Sequence, residues 1–351
     1  MSTDSFAQYS RIQKAIYTEQ SVPAYRDNPL IAALPSILTR KDAYNSLYSR
    51  PEYDENDRKA DQETRIHMVG TVSRLFLPLN VHIQVERAFA RAIRMGYVGK
   101  RNPLVRGFHD DLDQSVQRIR YDLDTFQNQV TNQGSFSVIG ISGVGKTWMV
   151  KRILNTYPQA IRHCQYKDRQ LSMFQLVWLM LQTPHDGSIK ALARQFFIEV
   201  DNLLGTQYAA AYAGPRVTAE DMLVSMARLA GLLNLGVLVI DEIQTLVKSK
   251  GGKEQILSFL LQLDNQLGLP IVLVGTPQAS ALFEKNLRLA RRFLGDSAAI
   301  FSRMRKDKEW ESFVSGLWQY QYTFNKIPLT RSLTDTLYER TQGIGRKLRI
   351  R

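Results

Sequence analysis

Gly140-Ile141-Ser142-Gly143-Val144-Gly145-Lys146-Thr147 meets every fixed position of G-x-x-x-x-G-K-[ST], the spacing with which a chain cradles a triphosphate. Gly140, Gly143 and Gly145 let the loop turn its backbone N–H groups, those of Ser142 and Val144 included, toward phosphate oxygens. Lys146 is then placed to reach the β- and γ-phosphates and Thr147 to offer its hydroxyl to Mg²⁺, and Trp148, where the next element begins, is counted with them among the nucleotide-binding residues. A second constellation is Gly236-Val237-Leu238-Val239-Ile240-Asp241-Glu242, an apolar run closed by two carboxylates. Asp241 can hold Mg²⁺ through water, and Glu242 can polarise the water that attacks a γ-phosphate. Pro270 to Pro277 repeats the form and ends on Thr276, whose hydroxyl belongs beside those carboxylates. Arg288, Arg291 and Arg292 are more arginines than one nucleotide needs, and an arginine given across a subunit boundary stabilises a transferring phosphoryl group. A basic surface helix is the plainer reading of the three.

The flanks supply the elements. Phe136-Ser137-Val138-Ile139 suits a buried strand, and Trp148 to Leu154 has helical apolar spacing, so the loop joins a strand to a helix N-terminus. Phe174 to Leu181 reads as one strand. Helices are expected from Val81 to Met95, closed by Gly96, then over 112–126, from near Ser188, from Thr218 to Leu233 and from Lys253 to about Leu267. Ser188, Lys190 and Arg194 put free backbone N–H groups and basic side chains at one helix start. Arg87, Arg91 and Arg94 line one helical face, either solvated or tracking phosphates. Trp310, Phe313, Leu317 and Trp318 are spaced as a helix that buries aromatics.

The expected fold is α/β, a P-loop NTPase core with a parallel sheet flanked by helices. The expected organisation is an N-terminal arm and linker over 1–65, a helical extension over 66–130, the ATPase core over 131–325, and a partial, truncated lid over 326–351. The 351 residues, 44% of them hydrophobic, suffice for such a core. One cysteine excludes an intrachain disulfide and a cysteine metal cage, and the five histidines lack ligand spacing. No apolar run reaches about 18 residues and no apolar segment follows the polar N-terminus, so the reading is a soluble, cytoplasmic protein without a membrane partner. Lys and Arg number 46 against 33 Asp and Glu, a net +13 that favours a polyanionic partner. No recognition-helix or zinc-finger pattern is present, so sequence-specific DNA reading is not expected.

The order of phosphate loop, Ile240-Asp241-Glu242, Val274-Gly275-Thr276 and arginine cluster resembles the AAA+ ATPases. More narrowly the chain resembles the TnsC-type regulators of bacterial cut-and-paste transposons. That narrower likeness rests on Ala24-Tyr25-Arg26-Asp27-Asn28-Pro29, Ala33-Leu34-Pro35, Gly96-Tyr97-Val98-Gly99, Arg101-Asn102-Pro103, Leu238 to Gln244, Gly275-Thr276-Pro277 and Leu287 to Arg292. The resemblance implies a bacterial ATPase, slow, with ATP and Mg²⁺ as cofactors, that assembles as a ring or helical filament on duplex DNA. It implies a target-selection protein and transposase subunits as partners, and hydrolysis that drives disassembly. It makes Lys146 and Thr147 the first nucleotide motif, Asp241 and Glu242 the second, Thr276 a sensor, and one of Arg288, Arg291 or Arg292 the finger given in trans. It also maps backbone contacts to DNA near Ser188, Lys190 and Thr206. Arg346 is a weak stand-in for a second sensor. The rival functions are a replication-type AAA+ loader or initiator, and a signalling NTPase switch that uses no DNA.

Overall fold

The computed structural model describes residues 12–98, 134–248, 252–283, 287–295 and 298–345. The expected helix over 112–126, the Arg101-Asn102-Pro103 motif and Arg346 lie outside them. Two compact units are built from interleaved segments. Met1–Ile37, Arg87–Ile139 and Ile153–Ala299 make the first, and Leu38–Glu86, Gly140–Arg152 and Ile300–Arg351 the second.

The strands are β1 (Ile12–Lys14), β2 (Phe136–Gly140), β3 (Ala160–Tyr166), β4 (Arg169–Leu176), β5 (Trp178–Gln182), β6 (Val237–Asp241), β7 (Ile271–Gly275) and β8 (Ala299–Phe301). The larger sheet has the order β5-β6-β7-β2-β8, and its β5–β6, β6–β7 and β7–β2 pairings are parallel. Every residue of β2, β6 and β7 is buried. A sheet covered on both faces is written as continuous apolar runs, which is why VLVID and IVLVG show no alternation. Helices Ile189–Leu204, Ala219–Leu232 and Gly252–Leu267 supply the cover, burying Phe196, Phe197, Met222, Met226 and Leu263 in the same core. Their starts are chemical. The Ser188 hydroxyl accepts from Ala191 N–H and the Thr218 hydroxyl from Asp221 N–H. This is the parallel five-stranded, helix-flanked core of a P-loop NTPase, with a helical extension on its N-terminal side.

Three local readings are corrected. Phe174 to Leu181 is not one strand. β4 ends at Leu176, β5 begins at Trp178, and between them Val177 N–H donates to Gln159 O at 2.9 Å. Both sides of the break are buried, so the apolar run conceals a change of sheet. β4 belongs instead to a small sheet of order β1-β3-β4, with β3 and β4 antiparallel and β1 added in parallel along β3. The helix expected to stop at Gly96 runs from Asn80 to Val98. Gly96 is there for close approach, because a Cβ on it would stand 2.6 Å from Gly236 O and 2.8 Å from Pro270 Cδ. Finally, Arg87 and Arg91 are exposed but Arg94 is buried, so the three do not share a solvated face.

Arg94 fastens the arm. Its guanidinium donates to Ala90 O at 3.0 Å and Pro35 O at 2.5 Å. Asn28 Nδ2 donates to Tyr97 O at 3.1 Å, and Gln175 Nε2 donates to Leu30 O at 2.8 Å. Residues 12–37 thus pack into the first unit through the carbonyls of Leu30 and Pro35, the Asn28 amide and the buried Leu30, Ile31 and Leu34.

The second unit, taken by itself, is mostly helical. Trp310, Phe313 and Val314 on helix Lys308–Trp318 form its core with Leu77, Leu79, Met304, Leu329, Leu337 and Tyr338. Arg58 and Arg65 tie residues 58–65 to the carbonyls of Tyr322, Thr323 and Phe324. No helix among the described residues is long and apolar enough to cross a membrane.

Candidate functional site: a phosphate loop and a carboxylate-bearing strand end

The phosphate loop belongs to the second unit. Gly140 lies so close to β8 that a Cβ would stand 2.4 Å from Phe301 Cβ. Gly143 and Gly145 have φ of 80° and 99°, with open space where a Cβ would be. Both conformations are natural to glycine. Helix Lys146–Leu154 follows at once, so its first N–H groups have no acceptor within the helix. Lys146 is buried, its ammonium donating to Gly140 O at 2.7 Å and Ile141 O at 3.0 Å.

Behind the loop stands a neutral aromatic stack. The His82 ring lies against Phe301 at 5.8 Å and Phe76 at 4.9 Å, and Phe76 meets the edge of Trp148 at 4.8 Å. Burial pushes His82 down to about 3, and its Nδ1 accepts from Leu79 N–H at 2.9 Å, so it carries no charge near neutrality. Trp148 remains partly exposed, and Arg152 lies 4.8 Å over the Phe76 ring while donating to Leu47 O.

The carboxylates belong to the first unit. Asp241 is buried at the end of β6, its carbonyl accepting from Thr183 N–H at 3.0 Å and the Thr183 hydroxyl at 2.6 Å. Asp241 Oδ1 accepts from Glu242 N–H at 2.8 Å. Glu242 has a φ of 57°, a left-handed conformation that side chains other than glycine adopt only where the surroundings impose it. Its carboxylate accepts from Gln244 Nε2, and Gln244 Oε1 accepts from Thr276 N–H at 3.0 Å. The Thr276 hydroxyl is buried without a hydrogen-bond partner among the described residues. Glu242 and Thr276 are therefore brought together, through a side chain that the reading of the sequence gave no role. The signal for it was present, since Gln244 stands two residues after the acidic pair.

Residues 129–283 match the family model of the AAA domain. That span holds the phosphate loop, Asp241, Glu242, Gln244 and Thr276, and it ends before the arginine cluster. Among solved structures the chain is similar to the Walker-type ATPase PABY2304 of Pyrococcus abyssi. The identity is 16% and the TM-score 0.39, over 68% of this chain and 65% of that one. It is also similar to AMPPCP-bound DnaA from Aquifex aeolicus, at 13% identity and a TM-score of 0.33, over 70% and 61%. The chain thus spans less than two thirds of either structure. No curated protein matches it.

Downstream of the AAA domain match, helix Leu287–Phe293 separates the three arginines by role. Arg292 forms an ion pair with Asp264, which is fully buried. Arg288 donates to Asn265 Oδ1 at 2.9 Å. Arg291 is exposed and makes no side-chain hydrogen bond or ion pair among the described residues.

The residues mapped to DNA are all in the first unit. The Ser188 hydroxyl is occupied in capping its helix, and Lys190 donates to Pro215 O at 2.8 Å. Both line a cavity of about 480 Å³ that Asp186 and Glu220 also line. The Thr206 hydroxyl donates to Asp201 Oδ1 at 2.6 Å, and that carboxylate also accepts from Tyr208 N–H and Ala209 N–H. Each of the three is thus engaged in local structure.

As donors, the Thr147 hydroxyl and the Asp241 carboxylate are the hard oxygens that suit Mg²⁺. The glycine loop and the Lys146 ammonium suit a polyphosphate. No cluster of three His, Cys, Asp or Glu that could hold a metal occurs among the described residues.

Proposed function

We propose that this protein is an ATPase whose bound nucleotide governs its assembly on duplex DNA, in the manner of the TnsC-type transposition regulators. The observation that carries the nucleotide reading is the phosphate loop, in which Gly143 and Gly145 take positive φ and the buried Lys146 is held by the loop's own carbonyls. Lys146 exchanges those carbonyls for phosphate oxygens, and the N–H groups of the loop and of the first helical turn accept the remaining charge. Thr147 and Asp241 are the residues that would hold Mg²⁺, which supplies charge neutralisation across the β- and γ-phosphates.

Glu242 accepts a proton from the attacking water as its oxygen bonds to the γ-phosphorus and the bond to the β,γ-bridging oxygen breaks. Thr276 offers its hydroxyl, unsatisfied among the described residues, to the same chemistry, and Arg291 is the arginine whose guanidinium has no partner among them. Assembly on DNA rests on the family resemblance and on the +13 net charge. Target-selection and transposase partners rest on the resemblance alone.

Glu242→Gln tests the reading. ATP affinity should stay within about 3-fold, while turnover falls on the order of 100-fold, the loss expected of a general base. Oligomers on duplex DNA should persist longer and dissolve with rising salt. Wild-type turnover would remove Glu242 as the base, and a variant that stays monomeric with ATP and duplex present would remove the assembly function.

A further inference from the structure

We infer that Gln244 is a positioning residue for hydrolysis, fixing the Glu242 carboxylate through one end of its amide and reading the end of β7 through the other. The inference rests on Glu242 being the base and goes beyond it by assigning what aims that base.

The amide can be oriented in one way only. Thr276 N–H is a donor, so the group facing it must be Oε1; the Glu242 carboxylate is an acceptor, so the group facing it must be Nε2. The two contacts therefore fix each other. Everything else about Glu242 is already held. Its N–H is taken by Asp241 Oδ1 at 2.8 Å, and its carbonyl accepts from Thr245 N–H at 2.8 Å and the Thr245 hydroxyl at 2.9 Å. The left-handed φ of 57° is pinned from both sides, and the side-chain torsions are the remaining freedom. Gln244 removes that freedom by holding Oε2.

Gly275 makes room for the bridge. A Cβ at that position would come 2.8 Å from Gln244 Oε1 and 2.7 Å from Ile243 Cγ2, so any side chain there would push the amide away from Thr276. The unsatisfied Thr276 hydroxyl sits on the residue whose N–H the amide reads. A displacement of Thr276 must then be passed to Gln244, and from Gln244 to the carboxylate.

Gln244→Glu is the sharper variant. It keeps the volume and the acceptor for Thr276 N–H, and it replaces the donor facing Glu242 with a like charge. Steady-state ATPase assays on the full chain with Mg²⁺ and ATP should show kcat reduced roughly 10-fold in Gln244→Ala, with KM within about 2-fold. Gln244→Glu should lower kcat at least as far, again with KM within about 2-fold, and both variants should keep the wild-type affinity for a non-hydrolysable ATP analogue. A residue that served only to stabilise the fold would lower the unfolding temperature and leave the kcat of the folded protein unchanged. Glu242→Gln is assayed beside them. If it is inactive while Gln244→Glu keeps the wild-type kcat, the role of Gln244 is overturned and the base stands. If Glu242→Gln turns over normally, the base fails and this inference fails with it.

Discussion

The phosphate loop and the ends of β6 and β7 both hold a charged side chain in place, but they do so over very different stretches of chain. Lys146 is held by carbonyls five and six residues away. Glu242 is held by Gln244, and Gln244 in turn by Thr276, 32 residues further on. The loop is shaped by glycines whose conformations are set where they stand. The strand ends are shaped by a register, Ile240 against Leu273, that must exist before Gln244 has anything to bridge. A change in the loop should therefore act on ligand binding alone, whereas a change at the strand ends should act on whatever the sheet transmits.

The largest expected effect breaks the comparison on its local side. Lys146→Ala removes the ammonium and should weaken ATP binding on the order of 10³-fold, about 4 kcal/mol for charge-assisted bonds to two phosphates. A fluorescent ATP analogue measures it by direct titration. Loss of less than about 10-fold would mean that the loop's backbone, not its lysine, carries the affinity.

The same contrast explains what could be read from the amino-acid order. The glycine spacing, the helix starts at Ser188 and Thr218, and the buried runs of β2, β6 and β7 are local patterns, and each was legible. Val177 was not, because a buried apolar residue that turns between two strands looks like one that continues a strand. Gly96 was misread as a helix end, since its reason lies in Gly236 and Pro270, far along the chain. Arg94 and Arg292 resembled their neighbours in type and helical spacing. What distinguishes them is a carbonyl at Pro35 and a carboxylate at Asp264 that no spacing rule reveals. Gln244 has the same history: it is polar, next to two carboxylates, and meaningful only once β7 lies alongside.

The arginines sharpen the comparison. Arg292→Ala leaves the buried Asp264 without its counter-charge and should cost about 3 kcal/mol, at the lower end for a broken buried pair because Arg292 itself is partly exposed. Arg291→Ala touches nothing that holds the fold and should leave the unfolding midpoint in place. If Arg291 completes a neighbour's site, its variant loses ATPase activity with stability intact, and mixing it with an excess of Glu242→Gln restores part of that activity. Denaturant titration with ATPase assays of each protein measures both. Equal destabilisation by the two substitutions would erase the division of roles along this helix.

The smallest effect concerns the contact of the arm with β3. His163 is buried on β3, with the Tyr17 hydroxyl 2.8 Å from Nδ1 and Gln175 Oε1 2.8 Å from Nε2, while Gln175 Nε2 donates to Leu30 O. One imidazole so joins the arm to both strands of the hairpin. Burial lowers its pKa to about 4 from 6.5, against a smaller opposing pull from the Gln175 hydrogen bond. The folded value is the lower one, so the unfolded chain takes the proton first; stability is complete above about pH 6.5 and is lost as pH falls toward 4. Between pH 8 and pH 5 the loss from this group is about 2 kcal/mol. His82 in the second unit adds a slope of the same sign, so the measurement is a difference. His163→Gln keeps a polar partner for Tyr17 and Gln175 but cannot take up a proton. Its urea-unfolding free energy should fall less than that of the wild type between pH 8 and pH 5, by that same amount. Parallel pH profiles would show that the proton reaches His163 without loosening the arm, and that the contact between Tyr17 and β3, although it spans 146 residues, is weak in energy.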